Sequence, residues 1–137
     1  MTRSDLAAVL ADHLDALNAR DLERLAAFYA SDAVLELPAS PRIEGAAAIR
    51  EAYRLFFEQW EERSAYDRVV VSGTTAAVEG LTTGRHRTIH LRLPGHIPTG
   101  GRRYRHAFAA FFTFRSGRIV RHRVYYDARD LVNQLLG

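Results

Sequence analysis

The sequence predicts an α+β fold in which helices cover one face of a curved, mostly antiparallel sheet, and three observations carry that expectation. Apolar residues at spacings of three and four dominate the opening part of the chain. Strand alternation dominates the rest and ends in a hairpin. Helices first and strands later is the order of an α+β domain, not of alternating strand and helix units. A sheet wrapped by three N-terminal helices, with a short C-terminal helix beside it, leaves a cone-shaped space suited to a small apolar ligand.

Leu6, Val9, Leu10, His13, Leu14 and Leu17 recur at helical spacing, which predicts an amphipathic helix from about Ser4 to Ala19 capped by Ser4 or Asp5. His13 falls on its apolar face. The run Asn18-Ala19-Arg20-Asp21 breaks the pattern, and Asp21 caps a second short helix with Leu22, Leu25, Phe28 and Tyr29 facing inward. Val34 to Leu37 reads as a short strand stopped by Pro38, which has no N–H for a ladder, and Pro38 to Pro41 reads as a loop. After Glu44-Gly45 a third helix carries Ile49, Tyr53, Phe56, Phe57 and Trp60 on one aromatic stripe. Such a stripe either packs as plain core or closes one side of a cavity.

From Ala65 the period changes to two, so Tyr66 to Ser72 and Thr75 to Gly84 are strands joined at Gly73-Thr74. Within Arg85 to Arg103, Pro94-Gly95, Pro98 and Gly100-Gly101 mark loops, while Thr88 to Leu93 extends a strand. Two long strands then flank Ser116-Gly117, residues that tolerate the positive φ of a tight turn. That turn pairs Phe114 with Ile119 and sets His106, Phe108, Ala110, Phe112 and Phe114 on one face. Strict alternation on the second strand would bury Arg121 and Arg123 without partners. A β-bulge after Ile119 avoids this by turning His122, Val124 and Tyr126 inward, with Val124 opposite Ala110. Asp127 begins a terminal helix bearing Leu131, Val132, Leu135 and Leu136.

With 137 residues, 47% of them apolar, the chain is expected to be one domain, 1–137, with a real core. No apolar run is long enough for a membrane span, and Met1 to Asp5 leads into a helix of mixed polarity, so a soluble cytoplasmic protein is expected. The absence of cysteine removes disulfides, thiolate nucleophiles and cysteine metal sites. All 19 basic residues are arginine, which excludes a Schiff-base lysine and a P-loop. A net charge of +3 and the lack of a recognition motif argue against nucleic acid. The arginines near positions 85, 103 and 121 are expected on a solvated sheet face, paired with Glu58, Glu61, Glu62 or Glu79 across a dimer.

The order of elements, with NARDLERLAAFYASDAVLELP near the start and SGRIVRHRVYYDARDLVNQLLG at the end, resembles the NTF2-like superfamily. The closing motif of Gly117-Arg118-Ile119, His122-Arg123, Tyr126-Asp127 and Gln134-Leu135 is most similar to the SnoaL-like polyketide cyclases. The resemblance spans essentially the whole chain. It implies a cone-shaped NTF2-like fold, a homodimer through the outer sheet face, and one of several chemistries that this fold hosts. It also implies functional positions that this sequence has emptied. The proton-shuttling Asp of ketosteroid isomerases falls at Leu37, their oxyanion Asp at Ala110 and their oxyanion Tyr at His13. The catalytic His of SnoaL-type cyclases falls at Ala110, and their acid/base Asp, like an Asp of limonene-epoxide-hydrolase relatives, falls at Val124.

Two readings follow. In the first, the cavity takes a small hydrophobic molecule, polyketide-, steroid- or terpenoid-like, against walls of Leu37, Tyr53, Phe57, Trp60, Ala110, Val124 and Tyr126. His13, His106 and Asp127 are then the candidate catalytic groups of a cofactor-independent isomerase or cyclase. Each has a structural counterpart: a core histidine for His13, an exposed strand end for His106, and a helix N-cap for Asp127. In the second reading the domain is a non-catalytic ligand-binding or dimerisation unit. His86, His90 and His96 invite a metal, but they lie on strand-like sequence without an acidic partner, so neither a metal nor a cofactor is expected.

Overall fold

Thr2 opens the first helix in the computed structural model, which describes residues 2–87 and 101–136. The Thr2 hydroxyl accepts from the Asp5 N–H at 3.1 Å and the Asp5 carboxylate accepts from the Thr2 N–H at 2.9 Å, a reciprocal cap. Asp5 is thus the partner of the cap, and the cap lies upstream of the expected Ser4 or Asp5. The helix α1, Arg3–Ala19, buries Leu6, Leu10, His13 and Ala16. It stops where Arg20 enters the left-handed region at φ 58°. The Arg20 guanidinium then donates to the carbonyls of Phe57 and Trp60, satisfying the end of a later helix.

Asp21 caps α2, Leu22–Ala26, by accepting from the Arg24 N–H. This helix is shorter than its apolar spacing predicts. Tyr29 has already joined a strand, β1, Tyr29–Glu36, because its backbone pairs in parallel with a later strand at Ile119. After it come β2, Ile43–Glu44, unforeseen in the sequence; α3, Ala46–Gln59; β3, Trp60–Ser72; β4, Thr75–His86; β5, Arg103–Arg115; β6, Arg118–Tyr125; and α4, Ala128–Leu136. The predicted strand at Thr88 to Leu93 and the loops after it fall outside the described residues, apart from Gly101.

These strands form one curved sheet in the order β2-β1-β6-β5-β4-β3, antiparallel except where β1 meets β6. The hairpin turns at Ser116 and Gly117, with φ of 52° and 78°, and pairs Phe114 with Ile119. Thr113 pairs with Arg121, so Val120 is the extra residue of a bulge. His122 is therefore buried opposite Phe112, and Val124 lies opposite Ala110. Arg121 and Arg123 turn to solvent and pair with Glu36.

β3 begins at Trp60, six residues before the Tyr66 start expected from its sequence. The inner face consequently starts with Trp60, Glu62, Ser64 and Tyr66. Two of these sit opposite glycines: Glu62 pairs with Gly84, which pairs with Tyr104, and Tyr66 pairs with Gly80, which pairs with Phe108. A Cβ on Gly84 would stand 2.6 Å from both the Glu61 carbonyl and the Tyr104 hydroxyl. One on Gly80 would stand 2.1 Å from the Ala65 carbonyl, beside the irregularity in register between Tyr66 and Arg68. The β5 aromatics lie across bare backbone toward β3.

The main core packs α1 and α3 on this face through Leu6, Leu10, Ile49, Phe112 and Ile119, and a smaller cluster joins α4 to Tyr104 and Trp60. Gly80→Ala and Gly84→Ala are expected to destabilise the protein by about 2 kcal/mol or more each, since backbone oxygen cannot yield as a side chain does. Urea unfolding checks this; two fully stable variants would show that β3 and β4 do not approach so closely.

Candidate active site

Between α1, α3 and the inner sheet face lies a cavity of about 280 Å³. That is near the lower end of the range for small-molecule pockets. Leu37, Tyr53, Trp60, Ala110, Val124 and Tyr126 line it, together with His13 and His106. Phe57 does not: its ring packs 5.1 Å under the Arg20 guanidinium, and Phe56 takes its place on the wall. One step of helical rotation accounts for the exchange, because Tyr53, Phe56 and Trp60 are spaced by three and four. Asp127 stands outside the cavity wall. It is exposed and accepts from the Asp130 N–H at 2.9 Å as the N-cap of α4, because β6 has already ended at Tyr125.

Tyr29 organises one polar end of the cavity. Its hydroxyl lies 2.9 Å from His13 Nε2, 2.9 Å from His122 Nδ1 and 2.7 Å from the Tyr53 hydroxyl. A phenol donates one hydrogen bond and accepts two, so these contacts fill its capacity. Two of the three partners donate to Tyr29 and the third accepts from it. Burial pushes the His13 imidazole down to about 4, and burial followed by the nearby His13 holds His122 well below the usual histidine value. Both rings are neutral at pH 7. Among the described residues the buried His13 Nδ1 has no hydrogen-bond partner, and the ring's bond is to Tyr29. Tyr53 and His122 are the members on the cavity wall that retain hydrogen-bonding capacity, the phenol of Tyr53 being raised by burial to about 12.

Glu62 forms the second polar feature, and the sequence reading had placed it outside, among partners for arginine. It lines the cavity, and its Oε1 accepts from the Tyr104 hydroxyl over the gap left by Gly84. Burial lifts its carboxyl to about 7 against the opposing pull of that hydrogen bond. A group balanced between acid and base at neutral pH on a cavity wall can move a proton in either direction. Next to it, the Ser64 and Thr82 hydroxyls hydrogen-bond at 2.7 Å, and His106 stacks 4.7 Å from Tyr126. Of the arginines expected on the sheet face, Arg85 and Arg87 pair with Glu61 of their own chain. His86 packs edge-on at 4.2 Å against Trp60. His90 and His96 lie outside the described residues, among which no cluster of metal-binding side chains occurs.

A family model described as a SnoaL-like domain matches residues 10–122. Among solved structures, a candidate polyketide cyclase from Xanthomonas campestris pv. campestris is 26% identical with a TM-score of 0.82, covering 97% of this chain and 98% of its own. An NTF2-like protein of unknown function from Burkholderia pseudomallei is 19% identical, with a TM-score of 0.83 and full coverage of both chains. An LEH-like epoxide hydrolase from M. tuberculosis is 21% identical, with a TM-score of 0.77 over 97% of this chain and 90% of its own. The last two establish likeness of fold. No curated protein matches the sequence.

Opposite pH dependences follow from the two polar features. Glu62 holds its proton more tightly when folded, so its contribution is full below about 4.5 and is lost as pH rises through about 7. His13 and His122 behave in reverse: their contribution is full above about 6.5 and is lost as pH falls, for His13 through about 4. The stability of the wild type minus that of Glu62→Gln should therefore fall by up to about 3 kcal/mol between about pH 4.5 and about pH 8. Urea titrations across that range test it, and a constant difference would mean that Glu62 titrates as an ordinary surface carboxyl.

Proposed function

The chain belongs to the SnoaL-like domain family, and from that premise we propose that it takes a small hydrophobic molecule into the cavity and carries out proton-transfer chemistry there without a cofactor. The observation that supports this most is an apolar cavity whose wall also holds buried, hydrogen-bonded ionisable groups. Apolar walls supply affinity by excluding water, and a few polar groups fix orientation. Tyr53 and His122 offer hydrogen bonds to a carbonyl or hydroxyl of the ligand, with His13 and Tyr29 as positioning residues behind them. The Xanthomonas structure of 26% identity is named as a candidate polyketide cyclase, which is in keeping with a polyketide-like ligand. Here the chemistry is an isomerisation or cyclisation of a polyketide-, steroid- or terpenoid-like compound, using residues other than those at Leu37, Ala110 and Val124.

The same reading includes a homodimer. On the outer sheet face Val70, Ala77 and Phe111 form one row and Tyr125 lies beside Phe111, with Val70 50%, Phe111 47% and Tyr125 44% exposed. Arg123 and Glu36 on one side and Arg68 and Glu79 on the other supply both signs of charge around this strip, as a two-fold contact requires. Light scattering after size exclusion should give twice the chain mass for the wild type and a monomer for Phe111→Arg; a monomeric wild type sinks the dimer.

Ligand entry is tested with Trp60, the single tryptophan, which stands on the cavity wall. Neutral apolar compounds should quench or shift its fluorescence and raise the melting temperature with concentration. Ala110→Phe, which fills the wall opposite Val124, should abolish both effects while remaining folded. A broad set of such compounds with no effect on the wild type would favour a non-catalytic domain.

A further inference from the structure

Glu62 makes the cavity electrically one-sided. The chain has 19 arginines, yet among the described residues none lines the cavity, and its histidines, His13, His106 and His122, are all held toward the neutral form by burial. Among the described residues Glu62 is the one acidic side chain on the wall, and Tyr104 bonds its Oε1. Among the described residues Oε2 has no hydrogen-bond partner and the carboxyl has no salt bridge.

Aromatic rings gather on this side of the cavity. Trp60 meets Tyr104 edge to face at 5.5 Å, Tyr104 stacks on His106 at 5.9 Å, and His106 stacks on Tyr126 at 4.7 Å. Glu62 is near enough to Tyr126 that its charge helps to raise that phenol. A carboxylate bordered by electron-rich rings attracts an ammonium group twice over, by direct charge and by the ring quadrupoles. An anionic ligand would find no cation here and one like charge. A neutral ligand would find the apolar walls and hydrogen-bonding groups but nothing for a full charge to recognise.

We propose that the ligand is a hydrophobic amine, its ammonium seated on Glu62 beside Trp60 and Tyr126 and its hydrocarbon body lying along Phe108, Ala110 and Val124. This narrows the proposed pocket function and rests on it. The high carboxyl pKa fits an acid still lacking its cationic partner, which the ammonium would supply.

Three probes of one shape separate the cases: 2-phenylethylamine, 2-phenylethanol and phenylacetate, titrated calorimetrically into the wild-type protein at about pH 8. The amine should bind at least about tenfold more tightly than the alcohol, a difference of about 1.4 kcal/mol, and phenylacetate should bind most weakly. Glu62→Gln should bring amine and alcohol to similar affinity, whereas Tyr104→Phe, which keeps the carboxylate, should preserve the preference. Equal binding of amine and alcohol by the wild type overturns the ammonium site and leaves the hydrophobic pocket standing. Amine preference that survives Glu62→Gln also overturns it. Failure of all three probes to bind overturns the pocket function and this inference together, and the wild-type comparison decides the matter even if Glu62→Gln does not fold.

Discussion

One unpaired residue, Val120, decides which side of β6 faces the hollow. Without that bulge the inward positions would be Arg121, Arg123 and Tyr125; with it they are His122, Val124 and Tyr126. Arginine cannot be buried there without a partner, so the hydrophobic effect and the desolvation of charge choose the same register. Once His122 is inside, β1 lies in parallel beside β6 and Tyr29 reaches His122, His13 and Tyr53 together. A strand, a helix and a second helix are thus tied to one phenol. The buried hub couples the tautomers of two imidazoles to the orientation of the Tyr53 hydroxyl, since one of the three partners accepts from Tyr29 and the other two donate to it, which makes it a specific lock as well as a contact.

A second constraint acts through what is missing on β4. Its inward positions alternate between small residues and glycines, and the glycines at 80 and 84 leave the neighbouring strands free to meet over the middle one. Tyr104 could not reach Glu62 across a side chain at position 84. The curved sheet therefore sets two ends to the cavity by two different devices: an extra residue on β6 and absent side chains on β4.

Much of this was legible in the sequence. The alternation from His106 to Phe114, the Ser116-Gly117 turn and the cost of burying Arg121 were enough to place the bulge and the Ala110–Val124 pair. Helical spacing placed His13 inside, though the hub it joins was not visible, since Tyr29 read as the end of α2 and only its parallel partner on β6 makes it a strand residue. Glu62 was missed for a related reason. Reading β3 from Ala65 treated Trp60 to Ser64 as the exit of α3, where a charged residue is expected in solvent. Continuing the period of two backwards through Tyr66, Ser64, Glu62 and Trp60 would have turned it inward, and Gly84 and Gly80 in the facing strand were the accompanying signal. Phe57 was misplaced by one helical step, too fine a distinction for spacing alone once Phe56, Phe57 and Trp60 all fit the stripe. Asp127 carried two compatible roles in the sequence, and only the end of β6 at Tyr125 shows the carboxylate turned toward α4.

Electrostatics then links the fold to its chemistry. The resemblance to ketosteroid isomerases and SnoaL-type cyclases implies carboxylates or histidine at Leu37, Ala110 and Val124, a part of the wall that is hydrocarbon in this chain, whereas its carboxyl lies on β3 at Glu62. Tyr53 and His122 remain on the side where the fold packs α1 and α3, and Glu62 stands on the edge strand with Tyr104 behind it. Because both imidazoles of the hub are neutral, they cannot offset a negative charge brought in by the ligand. Arg121 and Arg123 pair with Glu36, Arg54 with Glu58, and Arg85 and Arg87 with Glu61, and among the described residues no arginine lines the cavity, whose wall carries one carboxyl and the dipoles of hydroxyls and rings. In a low-dielectric space that carboxyl weighs more than any single apolar contact, and its bond to Tyr104 depends on the bare backbone of Gly84 between them.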